Sequence, residues 1–172
     1  MCDRATHVRD ATESDVDGLT VLGVEVQRLH SKGRPDLFRS AEPEALRGFF
    51  RSRLSEGSLV LVADHGGSDL DGYVFAEVLE RPQSPFKYQH TDVYIHHIAV
   101  AQRARRRGVG ELLVAETARR AQQAGAATIR LDSWSFNTEA HRFFEAQGFS
   151  TARLIFELRG DFVVAGRTRS CQ

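Results

Sequence analysis

Cysteine, lysine and long apolar runs are what this sequence of 172 residues has least of. Its two cysteines, Cys2 and Cys171, sit near opposite ends of the chain. They offer neither a disulfide framework nor a metal-ligand spacing, and such usage fits a reducing cytoplasm. No apolar run approaches the ~18 residues of a membrane span. Met1-Cys2-Asp3-Arg4 has no hydrophobic signal core, so a cytoplasmic, membrane-free protein is expected. Net charge is also missing: 23 Lys and Arg balance 23 Asp and Glu. That balance leaves no global field to attract nucleic acid or acidic lipid. Only Lys32 and Lys87 are lysines, so nearly every cation is a guanidinium.

What is present reads as one domain. A 41% hydrophobic and 27% charged composition is ordinary for a chain that buries a core. Thr6 to Arg9 is a short strand candidate. Thr12 reads as a helix N-cap, and Val16, Leu19, Leu22, Val26 and Leu29 recur at helical spacing to about His30. Pro43 opens a second helix with Leu46, Phe49, Phe50 and Leu54 on its buried stripe, closed by Gly57. Ser58–Asp64 and Gly72–Val78 form a hairpin, and Asp92–Val100 is the next strand. A helix over about 110–125, a strand at Thr128–Trp134, a helix over 137–146 and a strand at Ser150–Leu158 follow. A last strand is expected around Phe162 to Val164. The order β-α-α-β-β-β-α-β-α-β gives a mixed sheet with helices on both faces.

The most informative stretch is Ile98-Ala99-Val100 followed by Arg105-Arg106-Arg107-Gly108-Val109-Gly110. A strand ends, a basic turn follows and an amphipathic helix begins. A helix start leaves amide N–H groups unpaired and favours negative charge. Glycine lets a bulky anion approach, and arginine suits phosphate oxygens. The physical reading is a diphosphate cradle. It is not a P-loop, because Glu111 and Leu112 stand where Lys and Ser or Thr would, nor a dinucleotide fingerprint, because Leu113 stands where a third glycine would.

The pattern Arg105-x-x-Gly108-x-Gly110 resembles the coenzyme A pyrophosphate loop of the GNAT N-acetyltransferase superfamily. Asn137-Thr138-Glu139-Ala140-His141-Arg142-Phe143-Phe144, ending in Gly148-Phe149, resembles its second signature. The resemblance runs from about Tyr94 to Phe149. It implies an α/β (mixed α+β) fold with a mostly antiparallel central sheet of six or seven strands. It also implies acetyl-CoA as co-substrate, no metal, and a primary amine of a small molecule or peptide as acceptor. Ile98, Ala99 and Val100 would meet the pantetheine arm, with a plain core role for Ile98 and Val100 as the alternative. Arg105, Arg106, Arg107, Gly108, Val109, Gly110 and Glu111 would surround the pyrophosphate. Asn137 would contact the cofactor near its thioester end, and Phe144 would pack against it. A homodimer is left open, since many relatives are dimers.

Acetyl transfer to an amine needs a proton acceptor, because only the neutral amine attacks. By period two, Asp92, Tyr94 and His96 share one strand face, and Val93, Ile95 and His97 the other. His96 titrates near neutral pH and is the first candidate base, against a role as a hydrogen-bonded histidine of the sheet. Tyr94 and Asp132 follow. The family also uses acidic residues in Asp132's place, which could instead recognise a cationic amine or brace a loop. Glu77 is a weaker candidate. His30, Arg34, Asp36, Phe38 and Arg39 would wall the acceptor, with the 81–90 connection opposite. One departure stands out. Many relatives carry a tyrosine where this chain has Phe144, which cannot protonate the leaving thiolate. Either Tyr94, Ser133 or Ser135 substitutes, or the thiolate leaves unaided, or the chain is a non-catalytic acyl-CoA-binding module. A nucleic-acid role for the arginines is a remoter rival.

Overall fold

A computed structural model describes residues 5–67 and 69–160. In chain order the elements are β1 (His7–Asp10), α1 (Val16–Gly33), α2 (Pro43–Ser55), β2 (Leu59–Asp64), β3 (Gly72–Arg81) and β4 (His90–Val100). Then come α3 (Val109–Gln123), β5 (Thr128–Leu131) and α4 (Thr138–Ala146). The sheet runs β1-β2-β3-β4-β5, antiparallel except for the parallel pair β4–β5.

The helices take both faces because the strands alternate. Tyr73 and Phe75 turn towards α2, where Phe50 meets Tyr73 edge-on at 5.5 Å and Phe49 meets Phe75 at 5.5 Å. A side chain on the neighbouring Gly72 would instead run into Leu113 and Val109 of α3. Leu19, Leu61, Val62, Val74, Val93 and Leu113 fill the fully buried core between these layers. Arg9 fastens the first edge. Its guanidinium reaches Asp15 at 2.8 and 2.9 Å and Asp64 at 3.0 Å. Arg9 is the largest cause holding the buried Asp15 carboxyl below its ordinary range.

Several expectations are corrected. Thr12 starts a short 3-10 turn at Glu13–Asp15, and α1 then continues to Gly33, past His30. The fifth strand stops at Leu131, because the chain leaves the sheet and Trp134 packs edge-on against Phe38. Five strands form among the described residues. Residues 150–158, expected as a strand, run without regular structure: no described strand lies beside them to complete a ladder. The expected strand at Phe162–Val164 lies outside the described residues.

A further correction concerns β4. Phe75 pairs with His97 and Ala76 with Ile95, so His96 is an extra residue on one strand. Such a bulge interrupts the alternation of side chains. His97 therefore joins Tyr94 and His96 on one face, and both histidine rings contact Phe75.

Candidate functional site

The end of β4 and the start of α3 are held apart by a fixed turn. Ala101 donates its N–H to the Asp71 carbonyl at 2.8 Å. Arg103 bonds the Asp71 carboxylate and the Leu70 carbonyl, so it is a structural arginine rather than a free cation. Arg105 donates to the Val100 carbonyl at 3.3 Å. Arg106 and Gly108 both take positive φ, 60° and 79°. This backbone favours glycine at 108, although a Cβ there would meet nothing. Gly110 is needed for a different reason than anion approach: a Cβ would come within 2.9 Å of the Phe143 ring, which packs α4 onto α3.

This turn leaves the amides of Val109, Gly110 and Glu111 without a protein partner among the described residues. They open into a cavity of about 530 Å³. Val26 and Leu29 of α1 form one wall, and Ile98, Ala99 and Val100 of β4 the floor. Arg105, Arg106, Gly108, Val109, Gly110 and Glu111 line one end, and Asn137, Phe143 and Phe144 the other side. Of the residues assigned to the cofactor from sequence, Arg107 alone does not line this cavity. The Asn137 side-chain oxygen caps α4 by accepting from the Ala140 N–H at 3.3 Å, which leaves its amide nitrogen available.

The proton-handling candidates gather along β4. The Tyr94 hydroxyl donates to Asp132 at 2.6 Å. His96 Nε2 lies 2.8 Å from Glu77 Oε2, so Nε2–H is the tautomer this contact selects. The Tyr94 and His96 rings meet at 4.9 Å. Burial pushes the Tyr94 phenol up to about 12, with Asp132 adding to the shift. His97 lies deeper, with Nδ1 3.4 Å from the Tyr73 hydroxyl. Burial brings His97 down to about 4, helped by the nearby His96 and His30. Burial raises the Tyr73 phenol still further above its ordinary value.

Two features escaped the sequence reading. Arg53 of α2 reaches Glu77 at 3.8 Å and lies over the Phe49 ring. Trp134 and Phe136, which stack on each other, join His30 and Phe38 in an aromatic wall linking the α1–α2 loop to the β5–α4 loop. Arg34 sits over Trp134 and grips Asp36 and Glu157 with its guanidinium. Arg39 contributes only its carbonyl here, to Gln27. Phe86 and Tyr88 of the 81–90 connection stand almost wholly in solvent. Among the described residues no group of three or more His, Cys, Asp or Glu could hold a metal ion, and no helix is long and apolar enough to cross a membrane.

The model of the acetyltransferase (GNAT) family matches residues 24–149. A tetramutant of the BH1408 protein from Bacillus halodurans is 28% identical, with 89% of this chain and 99% of that chain covered and a TM-score of 0.84. An aminoglycoside N-acetyltransferase, AAC(6')-Iy, solved in complex with CoA, shares the fold at 16% identity; 91% of this chain and 95% of that chain are covered, and the TM-score is 0.72. A transcriptional regulator from Bacillus halodurans C-125 shares it at 21% identity, with coverage of 91% and 100% and a TM-score of 0.72. No curated protein matches the sequence.

Proposed function

This chain belongs to the acetyltransferase (GNAT) family, and from that premise we propose that it transfers an acetyl group from acetyl-CoA to a primary amine. The acceptor is a small molecule or peptide, and it attacks directly in a ternary complex. The observation that carries this reading is the shared cavity: unpaired first-turn amides of α3, the end of β4 and Asn137 line one space. Backbone N–H groups at a helix start, flanked by Arg105 and Arg106, match a diphosphate. Acetyl-CoA supplies the activated acyl group as a thioester.

The rest is work for the chain's own residues. With Nε2–H turned to Glu77, His96 keeps Nδ1 as the acceptor for a proton from the amine. The imidazolium so formed faces the Glu77 carboxylate at 2.8 Å, an arrangement that stabilises its charge. Arg53 backs Glu77 from the other side. Tyr94 stays protonated at neutral pH, and Asp132 fixes the direction of its hydroxyl. Cys2 and Cys171 lie outside both signatures, so no acyl-enzyme nucleophile is called for.

Phe144 favours a second reading, a non-catalytic acyl-CoA-binding module, because it removes the family's usual proton donor. Calorimetry with acetyl-CoA, paired with a free-thiol assay over an amine panel, separates the two. Binding with amine-dependent thiol release supports the transferase, and binding with no release from any amine supports the module. In the first case His96→Gln should lower turnover ~100-fold or more while acetyl-CoA affinity holds.

A further inference from the structure

Arg53, near the end of α2, is held in a way that folding alone does not explain. Its Nε is buried and meets no hydrogen-bond partner among the described residues. A buried donor left unpaired is uncommon and costs stability. The guanidinium is turned instead to two carboxylates, Glu56 at 2.8 Å and Glu77 at 3.8 Å. Its carbon lies 5.5 Å from the centre of the Phe49 ring, a cation–π contact. Phe49 meets Phe75 edge-on, and Phe75 stacks on His96 with ring centres 4.8 Å apart. Arg53 thus reaches both Glu77, which meets His96 Nε2 at 2.8 Å, and the foot of the ring stack that packs on His96.

An imidazole beside a lone carboxylate keeps its proton, because the opposite charge favours the imidazolium. A base that already holds a proton takes none from an amine. Among the described residues Glu77 on β3 is the one carboxylate bonded to the His96 ring. Tyr94 and His97 on β4, and His30 on α1, are all shifted towards their neutral forms, and Asp132 is engaged by the Tyr94 hydroxyl. The cation beside Glu77 is Arg53. We propose that Arg53 is a positioning residue for His96: by sharing the Glu77 carboxylate it leaves His96 unprotonated, and so ready to accept the amine's proton, at a lower pH than Glu77 alone would allow. This rests on the acetyl-transfer reading, with His96 as the base. Arginine suits the place because it stays charged and its fork reaches two acids at once. Glu56 draws on the same charge, but it is 48% exposed, where water and salt screen it. With Nε unpaired, the residue is kept for function rather than for stability.

Arg53→Met keeps an apolar contact with Phe49 and removes the charge, so its thermal midpoint should stay near that of the wild type. In the ligand-free full chain His96 is followed by NMR titration at low salt, its signals identified by their absence from His96→Gln. They should titrate about half a pH unit or more higher in Arg53→Met than in the wild type. Glu77→Gln should move them the other way. The acid limb of kcat/KM for an accepted amine should rise with them in Arg53→Met, while the high-pH plateau holds, because His96 is neutral there in both proteins. Arg53→Lys, which keeps the charge, should restore most of the wild-type profile. A purely structural role would lower the rate equally at every pH; that result, or a His96 titration that does not move, overturns the proposal. The NMR measurement needs no acceptor, so the two failures separate. A titration that moves in a chain acetylating no amine overturns the acetyl-transfer reading and leaves the coupling of Arg53 to His96 standing.

Discussion

Burial holds the His97 imidazole down to about 4, and the charges of His96 and His30 act in the same direction. In the unfolded chain a histidine titrates near ~6.5. Between those values the unfolded chain takes a proton that folded His97 refuses, so stability falls as pH drops through the window. The full difference is about 3 kcal/mol once pH is below about 4. His30, lowered by burial alone, adds to the trend with the same sign. Thermal midpoints at pH 7 and pH 4.5 should therefore fall more steeply for the wild-type chain than for His97→Gln, which can still hydrogen-bond Tyr73 but carries no titrating group. Equal slopes would mean that His97 titrates as an exposed histidine does. The two neighbouring histidines therefore differ in surroundings: His97 is buried and neutral at pH 7, and His96 lies beside Glu77.

At the scale of elements, the residue that caps α4 also lines the cavity. Asn137 caps the helix through its oxygen, and its amide nitrogen is not used in that cap. Asn137→Ala should cost ~1 kcal/mol of stability through the lost cap and should weaken acetyl-CoA binding. Asn137→Asp caps as well as asparagine and suits the helix dipole, so stability should hold while affinity still drops, because the donor is gone. Urea unfolding and calorimetry on the two variants read both effects; undiminished affinity in Asn137→Asp would leave the residue as a cap only. Elements such as α1, α2 and α3 were legible because their apolar stripes recur at helical spacing within one contiguous stretch. The bulge at His96 was not, since neither glycine nor proline marks it and only the register with β3 creates it. The 150–158 segment reads as a strand from its composition, but a strand also needs a neighbour, and sequence does not say which edge is free.

The whole molecule places its cavity where α1, β4, α3 and α4 converge, so the site exists only when all four are assembled. The stretch that lines the α3 end of the cavity could be picked out in sequence because Val100 to Glu111 is one continuous run. The contacts along β4 join pairs 19 and 38 positions apart, His96 with Glu77 and Tyr94 with Asp132, which the folded chain alone brings together. A ligand that binds only this assembled state must stabilise it against unfolding. At an acetyl-CoA concentration a hundredfold above its dissociation constant the gain is about 2.7 kcal/mol, or roughly 5–10 °C in Tm for a chain of this size. Gly108→Asn should keep most of that rise, because asparagine tolerates the positive φ of 79° and adds no charge. Gly108→Asp imposes a similar backbone strain and sets a carboxylate beside the unpaired amides, where it competes with the diphosphate and repels it. Its ligand-induced rise should vanish while its ligand-free Tm stays near that of Gly108→Asn. Scanning calorimetry of the three proteins with and without acetyl-CoA decides the matter: a Gly108→Asp chain that gains as much as the wild type would place the diphosphate somewhere other than the start of α3.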